Sequence, residues 1–382
     1  MPIALTITDL DVGGAERALA ALARGVDRRR WSPTVIGLEP EGALAKVLRD
    51  AGLPVRCLDC TPRKPWQVIA RLTSALRETG AAIAQSFMFH ANLATRLAAR
   101  PAGVEWVVGG LRVAERQRRW HLLLDRWTIG LSTGSVCVSQ GVLDFSHTVG
   151  DLPRERLTLI PNGVDTHVFD RLPKADLGLP SGARAALFVG RLDVQKGVAD
   201  LLAAAAIVAA ARPDWHLVIV GDGPLAGPLR ERERSLPSLL GRTHWLGHRD
   251  DVPSLMKAAD VLVLPSHWEG MPNVVLEAMA AGRAVVATEV EGTVDLVRPK
   301  ETGWLVPPGV PKRLAEALLE AARDPENTQK MGARGRARVE REFTPGVVVA
   351  AYEALWAAVL GFERDDSVLP PLVRPVGQSG PS

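Results

Sequence analysis

Glycines and charged side chains occur together at three places where an apolar run gives way to a helical pattern. The first is the string GGAER at Gly13–Arg17, and the second is Gly190–Gly197, which contains Arg191 and Lys196. Glycines let a ligand approach the backbone closely, and the start of a helix favours an anion. Two cations after one strand suit a diphosphate. The structural alternatives are an ordinary glycine turn at the first place and two surface charges at the second.

The third place is the string EGMPNVVLE at Glu269–Glu277, which follows an apolar run ending at Pro265. Gly-Met-Pro-Asn is a tight-turn sequence, and its backbone N–H groups, apart from that of Pro272, could form an anion-binding nest. Glu269 could accept hydrogen bonds from sugar hydroxyls, and Glu277, on the helix after the turn, could accept them from a ribose. Glu277 alone could also be a glutamate favoured by the helix dipole, but this alternative leaves the rest of the string unexplained.

Short apolar runs alternate with helical patterns in two series along the chain. The first series begins at Ile3–Thr8 and the second at Ala186–Gly190, with a segment rich in Pro, Gly and Asp at 160–180 between them. Apolar strands between helices predict parallel sheets covered on both faces. We therefore predict an α/β fold with two doubly wound, Rossmann-like domains facing a central cleft. Ligands of such sheets bind beyond the carboxyl ends of the strands, where the three places lie.

The two series define the predicted domains. The N-terminal domain is expected to span residues 1–165 and the C-terminal domain residues 166–345. The apolar pattern at Val347–Leu360 predicts a further helix within 346–362. The segment 363–382 contains several prolines and serines and is predicted to be disordered.

Composition narrows the class of protein. The chain has 382 residues, 47% hydrophobic and 23% charged, as ordinary globular proteins do. Its 46 Lys and Arg against 43 Asp and Glu give a net charge of +3, which argues against a nucleic-acid-binding protein. Three cysteines are too few for a disulfide scaffold, and the first residues lack the basic region of a signal peptide. We therefore expect a cytoplasmic protein.

Two apolar segments bear on contact with a membrane. Val198–Ala211 is mostly alanine and contains Asp200, which predicts a packed helix rather than a membrane-spanning one. Arg112–Arg126 mixes arginines with Trp120 and leucines, as interfacial helices do. A solvated helix with snorkelling arginines would have the same composition. Peripheral contact with the inner face of the membrane is therefore left open.

The sequence contains two short patterns that could suggest a metal. Asp9-Leu10-Asp11 spells DxD, but it lies in the turn before GGAER. Cys57 and Cys60 form a CxxC, but no second pair follows to complete a zinc site. We therefore expect no metal and no cofactor.

Taken together, the motifs resemble those of glycosyltransferase family 4, retaining enzymes with the GT-B architecture of two Rossmann-like domains. The matching segments, in family order, are GGAER, VCVS at Val136–Ser139, IPNGVD at Ile160–Asp165, VGRLDVQKG at Val189–Gly197, VGDGP at Val220–Pro224, PSHWEGMPNVVLEAMAAGRAVVAT at Pro265–Thr288 and ETGWLVPPG at Glu301–Gly309. They extend over nearly the whole chain. The resemblance also implies that the C-terminal helix, within 346–362, packs back on the N-terminal domain, which would supply the acceptor side of the site.

The resemblance implies a nucleotide-diphosphate sugar as substrate, bound mostly by the C-terminal domain. Arg191 and Lys196 would hold the diphosphate. Glu269 would hold hydroxyls of the donor sugar, and Glu277 the ribose. The other donor-binding residues that the resemblance implies are Gly13, Gly14, Gly190, Gly270, Met271, Pro272, Asn273 and Val274.

The resemblance also implies metal-independent transfer to a saccharide or lipid-linked acceptor, with retention at the anomeric carbon, in cell-surface polysaccharide or glycolipid assembly. Two alternatives stay open at this point. One is a non-catalytic protein that binds nucleotide sugars. The other is a dinucleotide-dependent oxidoreductase, although the chain lacks a proper GxGxxG and such an enzyme would not explain Glu269–Glu277.

One departure from the family pattern concerns a histidine. Related enzymes often carry a histidine at the end of the strand matching Val107–Gly110, where this chain reads VVGGLR. Arg112 lies near the expected place, and His90 follows an earlier strand-like run. Both are candidates for a catalytic role, and a structural histidine is an equally good interpretation of His90.

Overall fold

The computed structural model describes residues 1–11, 13–60 and 64–362, so the predicted disorder of 363–382 concerns residues outside that description. The chain divides into two compact units. The first contains Met1–Gly163 and the chain from Pro345, and the second contains Val164–Thr344. These divisions lie beside the predicted domain limits at residues 165 and 345.

The first unit is built on a seven-stranded parallel sheet in the order β3-β2-β1-β4-β5-β6-β7. Its strands are β1 (Pro2–Ile7), β2 (Ser32–Gly37), β3 (Val55–Cys57), β4 (Ile83–Phe87), β5 (Trp106–Leu111), β6 (Gly134–Cys137) and β7 (Leu157–Leu159). The helices between them are α1 (Gly14–Gly25), α2 (Ala43–Asp50), α3 (Pro65–Thr79), α4 (Phe89–Ala102), α5 (Arg119–Thr128) and α6 (Gln140–Thr148).

The second unit has a six-stranded parallel sheet in the order β10-β9-β8-β11-β12-β13. Its strands are β8 (Arg184–Val189), β9 (Trp215–Val220), β10 (Thr243–Gly247), β11 (Val261–Leu264), β12 (Ala284–Thr288) and β13 (Gly303–Val306). Its helices are α7 (His167–Arg171), α8 (Val198–Ala211), α9 (Ala226–Arg234), α10 (Val252–Ala258), α11 (Asn273–Ala280), α12 (Thr293–Leu296), α13 (Pro311–Arg323) and α14 (Pro325–Glu342).

The last described helix, α15 (Pro345–Val359), packs in the first unit. Alternate side chains of β1 explain why the first sheet needs helices on both faces. Ile3 and Leu5 pack in the cluster that contains Trp31 and Trp356, whereas Ala4 packs in the cluster formed with α3 and α4. The rings of Trp31 and Trp356 meet edge to face, with centroids 5.5 Å apart, and Trp356 is fully buried. The first unit therefore gains part of its core from the far end of the chain.

The apolar helix α8 is a packed helix, as predicted. The segment Val194–Ala211 is long and apolar enough to cross a membrane by length and composition, with a mean hydropathy of 1.5. In the structure α8 packs against α13 and β9, and both Leu201 and Leu202 are fully buried. Burial against neighbouring elements accounts for its composition.

The expectation of one continuous helix over Arg112–Arg126 is wrong. Strand β5 continues to Leu111, and α5 begins only at Arg119. Between them, the Glu115 carboxylate accepts hydrogen bonds from the backbone N–H groups of Gln117 and Arg118, at 3.1 and 2.9 Å. This local turn satisfies backbone donors outside a helix and delays the helix start.

Candidate functional site

Each sheet has one place where the strand order reverses. In the first sheet it lies between β1 and β4, and in the second between β8 and β11. Loops leaving such a pair of strands diverge and open a crevice that serves as a ligand site. The predicted site residues follow these four strands, apart from Arg112, which follows β5. Gly13 and Gly14 come after β1, His90 after β4, Gly190–Lys196 after β8 and Glu269–Glu277 after β11.

In the second unit, Lys196 and Glu269 form a direct ion pair. The Nζ of Lys196 lies 2.6 Å from Oε1 of Glu269, and the hydroxyl of Ser266 donates to the same oxygen at 2.6 Å. Both side chains are largely buried. Because an unpaired charge is costly in such a place, each of the two holds the other in a defined position.

Backbone contacts bring these two residues together from loops that lie far apart in sequence. The N–H of His267 donates to the carbonyl of Gln195 at 2.8 Å, and Nε2 of Gln195 donates to the carbonyl of Trp268 at 2.9 Å. Gly197 has a φ of +61°, and a Cβ there would lie 2.1 Å from the carbonyl oxygen of Pro265. Only glycine permits this approach, so the glycine of VQKG sets the distance between the two loops.

Arg191 lies on the same loop as Lys196 but has a different partner. Its side chain is 70% exposed, and its Nε lies 2.6 Å from Oδ2 of Asp193. The two cations of this loop therefore pair with different carboxylates, Arg191 with Asp193 and Lys196 with Glu269. The Asp193 carboxylate pairs with the guanidinium because it lies only two residues away on the same turn.

The segment Gly270–Val274 follows Glu269 directly and runs into the first turn of α11. Met271 and Pro272 are buried, and α11 begins at Asn273. Glu277 lies one turn into α11, as the sequence predicted, and its side chain is partly exposed. A second loop supports this segment, since a Cβ on Gly292 would lie 2.1 Å from the carbonyl oxygen of Gly270. Sequence reasoning missed the support from Gly292, because its role depends on a contact between separate loops.

The glycines after β8 and β9 also pack on one another. Gly190 donates its N–H to the carbonyl of Val220 at 3.0 Å, and a Cβ on Gly221 would lie 2.0 Å from the carbonyl oxygen of Gly190. Leu192 donates to the carbonyl of Asp222 at 2.8 Å. The VGRL and VGDG motifs therefore form one interlocked pair of loops, and Gly190 has a packing role whatever it does for a ligand.

In the first unit, Gly13 and Gly14 lie at the start of α1, and the Glu16 side chain lies against Gly13. A Cβ on Gly13 would lie 2.1 Å from Oε2 of Glu16. Burial is the main cause of a raised pKa for the Glu16 carboxyl, and the nearby negative charge of Asp9 adds to it. Hydrogen bonds from backbone N–H groups and the charge of Arg112 oppose this rise. The Glu16 carboxylate therefore already accepts hydrogen bonds from backbone N–H groups at the start of α1.

A cavity of about 280 Å³ opens at the carboxyl ends of β1, β4 and β5. The polar and aromatic residues that line it include Thr8, Asp9, Glu16, Phe89, His90, Arg112, Glu115, Arg118, His121 and Asp125. His90 lies at its edge, where loss of hydration and then the charge of Arg118 lower the pKa of its imidazole. Just before it, Met88 has a φ of +73° and a ψ of 156°, a conformation normally restricted to glycine. Such strain is typical of functional sites.

The contacts of Arg112 favour a structural role. Its guanidinium lies 5.7 Å from the centre of the Phe87 ring and donates a hydrogen bond to the side chain of Asn162. A hydrogen bond with Tyr352 ties it to α15 as well. Burial lowers the pKa of the guanidinium, and the contacts with these neighbours compensate for the loss of water.

His121 lines the same cavity and was missed by sequence reasoning. Its ring stacks on Phe89 with centroids 3.7 Å apart, and Nδ1 lies 3.1 Å from Oε2 of Glu115. Burial lowers the pKa of His121, while Glu115 opposes that change. No motif surrounds this histidine in the sequence, and only the fold of the preceding turn brings Glu115 to it. The centroids of His121 and His90 are 5.7 Å apart.

Comparison with known proteins identifies the family. The family model "Glycosyltransferase Family 4" matches residues 12–168, and "Glycosyl transferases group 1" matches residues 183–324. The chain is 30% identical over 269 residues to UDP-Gal:alpha-D-GlcNAc-diphosphoundecaprenol alpha-1,3-galactosyltransferase of Escherichia coli, covering 66% of this chain and 70% of that protein. This chain belongs to glycosyltransferase family 4.

A second relative and a solved structure agree with this family. The glycosyltransferase is 33% identical over 266 residues to alpha-maltose-1-phosphate synthase of Mycolicibacterium smegmatis, covering 64% of this chain and 66% of that protein. The fold of this chain matches that of Anabaena HepE in complex with UDP-glucose, with a TM-score of 0.82. The two are 22% identical, and the match covers 94% of this chain and all of HepE. The fold is GT-B, and the chain is a glycosyltransferase that uses a nucleotide-sugar donor. The oxidoreductase alternative is thereby set aside.

The structure adds one observation on metals. Among residues 1–11, 13–60 and 64–362, no three or more His, Cys, Asp or Glu side chains are grouped so that they could hold a metal ion. The cysteines of the CxxC pattern, Cys57 and Cys60, are both free thiols.

Proposed function

We propose that this glycosyltransferase binds the diphosphate and sugar of its donor at the carboxyl ends of β8 and β11 and transfers the sugar to a saccharide or lipid-linked acceptor. The observation that carries the proposal is the buried Lys196–Glu269 ion pair, held by Ser266 at the point where the strand order reverses. It places an ammonium and a fixed carboxylate directly before the first turn of α11. A cation suits a phosphate, and a carboxylate suits sugar hydroxyls.

The same groups would act in the chemical step. When the bond between the anomeric carbon and the diphosphate oxygen breaks, negative charge develops on the leaving diphosphate. Lys196, Arg191 after release from Asp193, and the first N–H groups of α11 would stabilise that charge more strongly in the transition state than in the ground state. Glu269 would accept hydrogen bonds from hydroxyls of the donor sugar and so fix its orientation.

We propose a reaction that retains the configuration at the anomeric carbon. The acceptor hydroxyl would attack from the face that the diphosphate leaves, forming the new carbon–oxygen bond, and an oxygen of the leaving diphosphate would take its proton. We further propose that the reaction needs no metal and no cofactor, because two cationic side chains on the β8 loop can supply the positive charge. Divalent-ion chelation should then leave turnover unchanged.

The cellular setting follows from the same family. We propose a cytoplasmic protein that binds no nucleic acid, contacts the inner face of the membrane peripherally and acts in cell-surface polysaccharide or glycolipid assembly. The Escherichia coli relative is named for a UDP-galactose donor and a diphosphoundecaprenol acceptor, which supports an acceptor attached to a lipid.

The test is a panel of UDP-, GDP- and ADP-sugars incubated with the purified chain, with and without candidate acceptors. We expect release of a nucleoside diphosphate from one of these donors, and a product whose anomeric configuration by NMR equals that of the donor. Donor binding without release of a nucleoside diphosphate would indicate the non-catalytic alternative. A product of inverted configuration would contradict the proposed stereochemistry.

A further inference from the structure

The outer face of α5 carries side chains that a helix normally buries. Trp127 is 75% exposed, Leu123 is 52% and Trp120 is 51%, and Leu131, in the short turn after the helix, is 48% exposed. Their spacing of three and four residues places them in one row. We call these four residues the α5 ridge.

The inner face of the same helix is polar. His121 and Asp125 face the interior of the unit, where His121 pairs with Glu115 and Asp125 accepts a hydrogen bond from Arg96 at 2.5 Å. This is the reverse of an ordinary surface helix, whose apolar stripe faces the core. Trp120 contacts the rings of Phe89 and His121, with centroids 5.6 and 4.1 Å away, yet half of its surface stays exposed. Packing within the first unit therefore does not account for the exposed row, and a continuous exposed apolar row is typical of an interaction surface.

The charges beside the ridge indicate what it contacts. Every exposed charged residue from 116 to 131 is an arginine, namely Arg116, Arg118, Arg119 and Arg126. The nearby acids are already engaged, since Asp125 is buried against Arg96 and Asp151 pairs with Arg126 at 2.9 Å. Tryptophans and leucines flanked by arginines suit the interface of an anionic bilayer, where the indole rings lie among the headgroups. A second copy of the chain would bring two sets of arginines together, which disfavours self-association.

We propose that the α5 ridge docks the protein on an anionic lipid surface, with Trp120, Leu123 and Trp127 at the boundary between headgroups and acyl chains. The consequence for the substrate rests on the proposed function. The inner face of α5 lines the 280 Å³ cavity of the first unit, through His121, Leu122 and Asp125. Docking through the outer face would hold this cavity at the membrane surface, so the acceptor would be lipid-linked rather than a soluble saccharide.

The test is flotation of the full chain with vesicles of phosphatidylglycerol and phosphatidylcholine, compared with phosphatidylcholine alone. We expect binding to the anionic vesicles and a loss of about tenfold or more in the triple variant Trp120→Ala/Leu123→Ala/Trp127→Ala, since its inserted apolar area is removed. Trp66→Ala is the matched control, because Trp66 is 69% exposed on α3 of the same unit. Its binding should equal that of the wild type.

A second variant isolates the charge. Arg119→Gln/Arg126→Gln keeps the ridge intact and should weaken binding to the anionic vesicles several-fold, as should added salt. Thermal unfolding of both variants should match that of the wild type, since all the substituted side chains are exposed. A variant that melts early is replaced by the single substitution Trp127→Ala, which should still weaken binding.

Three results would overturn the proposal. The first is that the triple variant floats as well as the wild type. The second is that the wild type binds phosphatidylcholine vesicles as well as anionic ones. The third is that the wild type binds no vesicles and forms a dimer that the triple variant does not form. The readout needs no donor. A chain that floats with vesicles but releases no nucleoside diphosphate would therefore refute the proposed function and leave the docking surface in place.

Discussion

Lys196 is the residue on which the proposed donor site depends most. Replacing Lys196 with alanine should lower kcat/KM for donor turnover by about 10²–10³, the usual effect of losing one group that stabilises transition-state charge. Lys312→Ala is the matched control, because Lys312 is an exposed lysine on α13 of the same unit. Thermal unfolding must be followed in parallel, since the substitution leaves Glu269 buried with only Ser266 as a described hydrogen-bond partner. Turnover within threefold of wild type, about 0.7 kcal/mol, would remove Lys196 from the chemistry.

Arg191 allows a cleaner separation of stability from function. The Arg191 guanidinium is 70% exposed, so solvent screens its pair with the mostly buried Asp193 and the pair contributes little to folding. Arg191→Ala should therefore leave the melting temperature unchanged while it raises KM for the donor or lowers kcat. Arg313→Ala removes an arginine of similar exposure, which pairs with Glu316, and serves as the control. Equal kinetics for both variants would show that Arg191 keeps its partner Asp193 during turnover.

At the scale of elements, the approach of the β8 loop to the end of β11 depends on one glycine. Gly197→Ala forces a Cβ within 2.1 Å of a backbone oxygen and also strains a positive φ. Gly182 has a φ of +80° with no described atom within 4 Å of an added Cβ, so Gly182→Ala tests the strain alone. We expect about 1 kcal/mol of destabilisation for Gly182→Ala and more for Gly197→Ala, measured by urea unfolding. Only Gly197→Ala should also lower turnover, and equal losses would mean that the two loops can separate freely.

The edge strand β10 and its neighbour β9 carry a pH-dependent contact. Nδ1 of His216 lies 2.9 Å from Nε2 of His244, and burial lowers the pKa of both rings, with the mutual charge adding to the effect for His216. Groups whose folded pKa is lowered stabilise the fold above their unfolded pKa and lose that contribution as the pH falls. Stability should therefore decline below about pH 6.5, the ordinary histidine value.

The control for this contact is His248, a largely exposed histidine that follows β10. His244→Gln should flatten the decline, because glutamine can keep a hydrogen bond to His216 without taking up a proton. His248→Gln, at a largely exposed position, should leave the decline as it is. Urea unfolding between about pH 5 and pH 8 measures both, and an unchanged slope in His244→Gln would contradict the assignment.

How much the sequence predicted depends on whether the cause was local. The ends of the buried strands β8 and β11 could be predicted closely, because apolar runs next to helical patterns have few alternatives. The short strands β3 and β7 could not, since three residues give no usable period. The helix start at Arg119 was missed because the hydrogen bonds of Glu115 compete with helix formation there.

The candidate site shows the same division. The motif residues were found because patterns of glycines and charged residues can be recognised in the sequence without knowledge of the fold. Their partners were not, since Gln195 and Gly292 gain their roles only from contacts between loops. Ser266 gains its role from a side-chain hydrogen bond to Glu269 within one turn, which the sequence pattern does not reveal. Arg191 illustrates the reverse error, because its position was foreseen and its pairing with Asp193 was not.

At the scale of the whole molecule, the first unit depends on α15. Trp356 is fully buried against Trp31, so Trp356→Ala should destabilise the first unit by about 3–5 kcal/mol. Trp127→Ala, on the exposed face of α5 in the same unit, should change stability by less than about 0.5 kcal/mol. Urea unfolding with limited proteolysis measures both effects. The first cuts in Trp356→Ala should fall within 1–163, and cuts beginning within 164–344 would contradict the assignment of α15.

The path of the chain also sets an order for biosynthesis. The polypeptide leaves the first unit at Gly163, builds the whole of the second, and returns at Pro345. On the ribosome, the part made first must therefore wait for α15 with an unfilled apolar face, while the part made second already has all its strands. If translation is arrested just before Pro345, we expect chaperones to bind the nascent chain within residues 1–163 rather than within residues 164–344.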